Sequence, residues 1–421
     1  MMKSRNQDES QYYVERDVSW MYFNHRILQE AQKTSVPPLE KMSFLGIYSN
    51  NLDEFFRVRV ASLTRLVSAK GIGESARKRL KKTIKTINKL NEDYSREYTD
   101  TINKVFAELA EHHIRLVNDK QLSDAQKTFL SAFYYDKLNG STNPIWLSAI
   151  DDLNTLEDNR IYLVVKKTHV DDKKVKYAII KVPDRVYGRF IKLPSDDGFC
   201  DIIYLDDVIR YCLPLIFIGT KASTYEAFSF KFTKDAEMEV DNEGDYGTME
   251  KIAMGVNSRK KGSPIRVIYD RDMPKEMQKR ILERLNVKEL DTSLAGGRYQ
   301  NHRDLMKFPD CGHSELKYPR WPQVMKPEFL AEESIIDSIR EKDRFIHVPY
   351  HSFDGYIRVL REAALRPSVK EIKTTLYRLA KDSKVVKALI CAARNGKKVT
   401  AVVELMARFD EESNIKWSKR M

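Results

Sequence analysis

No apolar run in these 421 residues is long enough to cross a bilayer. The longest, Cys212–Ile218, falls far short of the roughly 20 residues that a spanning helix needs. The N-terminal stretch MMKSRNQDESQ has no apolar core of the kind a secretory signal requires. Glycine numbers only 16, which excludes collagen-like and elastic repeats, and neither an internal repeat nor a low-complexity tract is present. The four cysteines, Cys200, Cys212, Cys311 and Cys391, show no CxxC spacing. In a chain this large they are expected to be the reduced thiols of a cytoplasmic protein. H-E-x-x-H, the phosphate-binding P-loop, GxGxxG and GxSxG are all missing, so a nucleotide would have to be held in some other way.

What is present is globular composition, 42% apolar and 32% charged, which rules out disorder throughout. A mass of 49.2 kDa exceeds what one core organises and predicts two or three domains. The net charge of +12 favours anionic partners but does not choose between nucleic acid, phosphorylated metabolites and membrane headgroups.

The first hundred or so residues read as helices. Trp20, Phe23, Ile27 and Leu28 recur at helical spacing after Asp17 and Ser19, either of which could cap. Beyond Pro37-Pro38 a second pattern runs from Leu39 to about Leu66, and a third from Ser75 to about His112. The basic run Arg77 to Lys82 could grip phosphates, although a solvated helix face explains it as well. From about Asn143 the period shortens. Ile161–Val165 and Tyr177–Ile180 flank Asp171–Lys174 as a hairpin, and Asp201–Tyr204, Ala227–Phe232 and Ile265–Tyr269 are further strands. Pro274 opens a helix to Leu285, and Asn242–Ser263 reads as a mobile loop. After the Pro-rich crossing at 319–327 comes a β-α-β unit: strand 370–377, helix 383–394 closed by Asn395-Gly396, strand 398–405, then a helix from 411. The expectation is a helical domain over 1–112, an α+β head over 113–324, and the start of an α/β domain over 325–421.

Parallel strands from that crossover would bring Arg378 and Arg408, one after each strand, to the carboxyl edge where open α/β sheets bind ligands. Two guanidinium groups there would suit phosphate oxygens. Alternatively, Asp382 pairs with the first, and Asp410 or Glu411 with the second. Ser49, Asn50 and Asn51 interrupt an apolar helical pattern. Asparagine offers the donors and acceptors an adenine edge demands, or it could cap a kink. Gly296-Gly297-Arg298-Tyr299 allows close backbone approach and an anion contact, or is an ordinary turn. His347 and His351 are separated by a proline that breaks helical spacing, so they read as structural rather than metal-binding.

Together these segments resemble the histidine-phosphorylating polyphosphate kinase family. The matching stretches are Asp17–Ala31, Phe44–Phe55, Gly296–Tyr299, His347–Asp354, Thr375–Arg378 and Glu404–Glu412. The resemblance implies a helical N-terminal domain, a head domain and phospholipase D-like α/β domains. It also implies reversible transfer of the terminal ATP phosphoryl to inorganic polyphosphate, with Mg²⁺ and a phosphohistidine. Asn51 matches the family's ATP-binding asparagine, and Arg378 and Arg408 its magnesium–phosphate pair. Arginine has no lone pair for a metal, so both are expected to hold phosphate oxygens that in turn bind Mg²⁺.

The sequence departs from the family pattern in three places. Gly355 and Met406 stand where the family commonly has proline and a basic residue. No histidine follows His351, which places the expected nucleophile after Met421 and makes the chain the first three-fifths or so of such an enzyme, inactive alone. A cytoplasmic homo-oligomer is expected, peripheral at the inner membrane face, with ATP, ADP and polyphosphate but no nucleic acid as partners. Two rivals are a phospholipase D-like phosphodiesterase, whose HxK motifs are missing here, and a non-enzymatic polyanion-binding protein.

Overall fold

A computed structural model of the chain describes residues 12–234, 264–287, 292–330, 334–407 and 410–421, without the side chains at 265 and 292. The loop expected at 242–263 lies outside the described residues. The chain forms two compact units, Met1–Glu237 with Lys260–Tyr318, and Met238–Arg259 with Pro319–Met421.

The first unit opens with α1 (Arg16–Ala31). Glu15 caps it, rather than Asp17 or Ser19: its carboxylate accepts from the backbone N–H groups of Asp17 at 2.8 Å and Val18 at 3.0 Å. Asp17 is instead buried against Arg59, whose Nε lies 2.8 Å away. The inward face is Val18, Met21, Asn24, Leu28 and Ala31, so Phe23 is left 58% exposed. A proline in the first turn starts α2 (Pro38–Phe55). It runs into a π-helical turn, Phe56–Val60, and on into α3 (Ala61–Ser68). Phe55 and Phe56, neighbours in sequence where the turn begins, are both buried. Phe55 stacks on Trp20 at 4.1 Å. The third helical pattern is one 38-residue helix, α4 (Glu74–Glu111).

The head follows with β1 (Ile114–Val117), α5 (Asp124–Phe133), β2 (Ile145–Trp146), β3 (Tyr162–His169), β4 (Val175–Lys181), β5 (Phe190–Lys192), β6 (Cys200–Tyr204), β7 (Ser223–Lys234), β8 (Pro264–Asp270) and β9 (Thr292–Gly296). Sequence patterning finds β3, β4, β6, β7 and β8 but not β1, β2, β5 and β9, of which β2 and β5 are too short for a periodic signal. The larger sheet has the order β2-β4-β3-β7-β8-β9, antiparallel except for β8 with β9. Val164 pairs with Ile179 on one side and Phe228 on the other. Successive side chains of a strand point to opposite faces. Leu163 and Val165 therefore pack with Leu130, Leu138 and Val208, whereas Tyr162 and Val164 pack with Phe230, Met277 and Ile281. A second sheet, β1-β6-β5, lends Ile114 and Ile202 to the helical core.

The cysteine expectation is corrected at two positions. Cys200 and Cys311 form a disulfide with a 2.06 Å S–S bond, their Cα atoms 6.2 Å apart. A separation of 111 residues hides that proximity in the sequence. Cys212 and Cys391 remain free thiols.

In the second unit, β10 (Glu371–Leu376) and β11 (Lys398–Val403) pair in parallel, Glu371 with Lys398 through Leu376 with Val403. The crossover helix Lys384–Arg394 is capped by Ser383, whose hydroxyl accepts from the backbone N–H of Val386. Asn395 closes it, and Gly396 takes the positive φ of 78° that ends such helices. The last helix, Glu411–Ser418, lays Trp417 against Leu376, Val386 and Leu389. The β-α-β unit is therefore as expected. Among the described residues, no helix is long and apolar enough to cross a membrane.

Candidate functional site

In the second unit the strand ends carry the chemistry. Arg378 follows β10 at its carboxyl edge with its side chain 57% exposed, and its Nε lies 3.2 Å from the carboxylate of Asp410. Asp382 pairs with Lys387 at 2.5 Å, so the acid that meets Arg378 comes from the segment after β11, not from its own loop. An exposed pair of this kind contributes about 0–1 kcal/mol. Arg408 lies outside the described residues.

Sequence reasoning missed Asn414. Its buried Nδ2 donates to the carbonyls of Tyr377 and Glu404, both at 2.8 Å, and so ties the ends of the two strands together. Trp417 Nε1 adds a bond to the Ala380 carbonyl at 3.3 Å. A lone asparagine in a short polar helix gives no signal for this. His351 Nδ1 accepts from the backbone N–H of His347 at 2.9 Å, which is the structural role expected of that pair.

In the first unit, Asn51 sits half-buried on α2. α2 passes through Asn50 and Asn51 unbroken, so neither caps a kink, and the widened turn begins at Phe56. Neither side chain forms a hydrogen bond among the described residues, which leaves both amides with donors and acceptors to offer.

A different face of α2 meets the head. There the carboxylate of Asp53 accepts from Lys231 of β7 and, at 3.1 Å, from Arg266 of β8. Lys231 also donates to Asn301 Oδ1 at 3.1 Å, and the Arg266 guanidinium lies 4.3 Å from the Phe56 ring centre. Burial alone would raise the Asp53 pKa, but Lys231 and Arg266 outweigh it and hold the carboxyl below its usual range. These groups line a cleft of about 480 Å³ together with Tyr48, Arg271 and His302; Asn51 is not among its walls. Burial pushes His302 down to about 4, so its ring is neutral near pH 7. One ring nitrogen, Nε2, bonds the Tyr299 carbonyl at 2.9 Å, and Nδ1 is buried without a partner among the described residues. Alternation with Phe230 and Phe232 turns Lys231 away from their core, so sequence reasoning missed it; it is buried because Asp53 of α2 and Asn301 meet it on that face.

The Gly296–Tyr299 loop is a structural lock, not an anion contact. Arg298 is held by Asp207 at 2.7 Å and Asp119 at 2.5 Å, and Tyr299 donates to Asp207 at 2.6 Å. A Cβ on Gly296 would lie 2.8 Å from Ile268 Cγ2, so this position requires glycine.

Three family descriptions match: polyphosphate kinase N-terminal domain over residues 13–117, middle domain over 125–308 and C-terminal domain 1 over 334–421. The polyphosphate kinases of Vibrio vulnificus (strain YJ016) and Escherichia coli (strain K12) are each 37% identical, over 97% and 98% of this chain. That of Yersinia pestis is 38% identical over 98%. The chain spans 59% of the Vibrio protein and 60% of the other two, about three-fifths of their length. The crystal structure of polyphosphate kinase from Porphyromonas gingivalis superposes with a TM-score of 0.76 at 29% identity, covering 97% of this chain and 57% of that one.

Proposed function

The chain belongs to the polyphosphate kinase family, and from that membership we propose that it carries nucleotide- and phosphate-binding parts of an ATP:polyphosphate phosphotransferase. The reaction moves the terminal phosphoryl of ATP reversibly onto inorganic polyphosphate through a phosphohistidine, splitting one transfer into two displacements. In this proposal Asn51 binds the adenine edge, and Arg378 with Arg408 holds phosphate oxygens at the strand ends. Charge stabilisation of this kind is where most catalysis of phosphoryl transfer comes from. The domain division at 1–112, 113–324 and 325–421 is part of the same proposal, as are homo-oligomeric assembly and a cytoplasmic location at the inner membrane face.

Among the described residues no three His, Cys, Asp or Glu side chains converge on one point, and Arg378 has only donors to offer. In this proposal Arg378 would hold phosphate oxygens, and Mg²⁺ bound to those oxygens would supply charge neutralisation.

The observation that carries the proposal is Asn51, a half-buried amide on a rigid helix with no partner among the described residues. Replacing it with alanine should weaken ATP binding on the order of tenfold, with polyphosphate binding and thermal stability unchanged. Unaltered ATP affinity in Asn51→Ala would remove the assignment.

A further inference from the structure

The basic run on α4 has no role in the site described above. After Glu74 the helix carries Arg77, Lys78, Arg79, Lys81, Lys82, Lys85 and Lys89, with no acid before Glu92. An α-helix turns about 100° and rises about 1.5 Å per residue. Lys78, Lys82, Lys85 and Lys89 therefore fall on one line about 17 Å long. The line runs opposite the face that buries Thr83, Ile84 and Ile87. All four lysines are exposed. Lys78 pairs with Glu74 at 2.9 Å, but Lys82, Lys85 and Lys89 form no ion pair among the described residues.

This arrangement works against the helix that bears it. Like charges three and four residues apart repel, as at Lys78/Lys82, Lys81/Lys85 and Lys85/Lys89. Cations in the first turns also oppose the positive end of the helix dipole. No core contact requires them. The chemistry of the line is charge alone: between residues 75 and 91 there is no aromatic side chain on which a base could stack, and no large apolar side chain there is exposed to enter a bilayer. A row of point charges on a rigid rod, three of the four without an acid beside them among the described residues, suits a linear inorganic polyanion.

We propose that the N-terminal half of α4 is an accessory docking track for linear polyphosphate, separate from Asn51 and from the strand-end arginine. The inference rests on polyphosphate being the substrate. Its effect would be to keep a long chain near the protein between transfer events and so raise its local concentration.

The test replaces Lys78, Lys82, Lys85 and Lys89 together by glutamine and measures binding of long-chain polyphosphate against salt concentration. With about 0.7 counterions released per contact on a single-stranded polyanion, the slope of log K against log salt should fall by roughly three. Affinity at low salt should fall at least about tenfold, while ATP binding stays unchanged and helix content does not drop. The matching lysine-to-arginine variant should bind polyphosphate as the parent does. Unchanged polyphosphate affinity and slope in the glutamine variant would overturn the track. So would a loss confined to phosphatidylserine vesicles, which would mark a membrane-facing surface instead. If the parent chain binds polyphosphate and Asn51→Ala still weakens ATP binding, only the track has failed. If the parent binds neither ligand, the functional proposal fails and takes the track with it.

Discussion

Lys231 and Asp53, 178 residues apart in sequence, meet as a buried ion pair that joins β7 to α2. Arg266 adds a second cation to the same carboxylate. Ser229, Lys231 and Thr233, alternate residues of β7, are all buried. This face of the strand is therefore polar and interior at once, and its charge is satisfied from the helical layer.

Removing the acid should be far worse than removing the pair. Asp53→Ala leaves two buried cations facing each other and should lower stability by about 3–5 kcal/mol in urea unfolding. Adding Lys231→Met should restore part of the loss. Because the folded carboxyl titrates below its unfolded value, its contribution is complete above the ordinary carboxylate range and disappears as pH falls through the folded pKa. A loss within about 0.5 kcal/mol in Asp53→Ala would mean that the pair bears no stability.

His302 should make the fold acid-sensitive in a higher window. Its folded pKa of about 4 lies below the ordinary 6.5, so the unfolded chain takes up the proton first. Stability should fall as pH drops from about 6.5 towards 4, by on the order of 2–3 kcal/mol. His302→Gln should flatten that part of a denaturation-midpoint profile. A variant profile parallel to the parent's would show that the ring does not titrate this way.

Asn414 should act on phosphate binding without touching phosphate. Asn414→Ala deprives the Tyr377 and Glu404 carbonyls of their shared donor, a cost of roughly 2–3 kcal/mol, and frees the edge from which Arg378 projects. Tripolyphosphate binding should weaken in this variant even at temperatures where circular dichroism shows it fully folded. Equal binding by folded parent and variant would reduce Asn414 to a stability role.

The elements with a sustained period were legible in the sequence. The apolar run Ile161–Val165, the helix after Ser383 and the Asn395-Gly396 stop are local signals, and the structure has each where local chemistry puts it. Pairings between distant residues were not legible. Nothing near Asp53 announces Lys231, and nothing near Cys200 announces Cys311, because no local rule links positions that only the tertiary fold brings together. The alternatives for Arg298 and Arg378 show the same limit. Local chemistry offered an anion or an ordinary turn for Arg298 and a phosphate or Asp382 for Arg378, but the acids the structure supplies, Asp207 and Asp410, are 91 and 32 positions away by residue number. The proposal for Asn51 rests on the resemblance, since chemistry alone favoured a cap that the unbroken helix does not need.

The π-helical turn at Phe56–Val60 changes the phase of everything after it. With one extra residue in that turn, a fixed helical period projected from α2 would misplace the inward side of α3 by about 100°. Deleting a single residue there would return the turn to ordinary α-helical winding and leave Leu63 and Val67, now buried, facing inward. The turn is thus a place where a one-residue change of length is absorbed, and homologous chains compared across it should be allowed a single gap there.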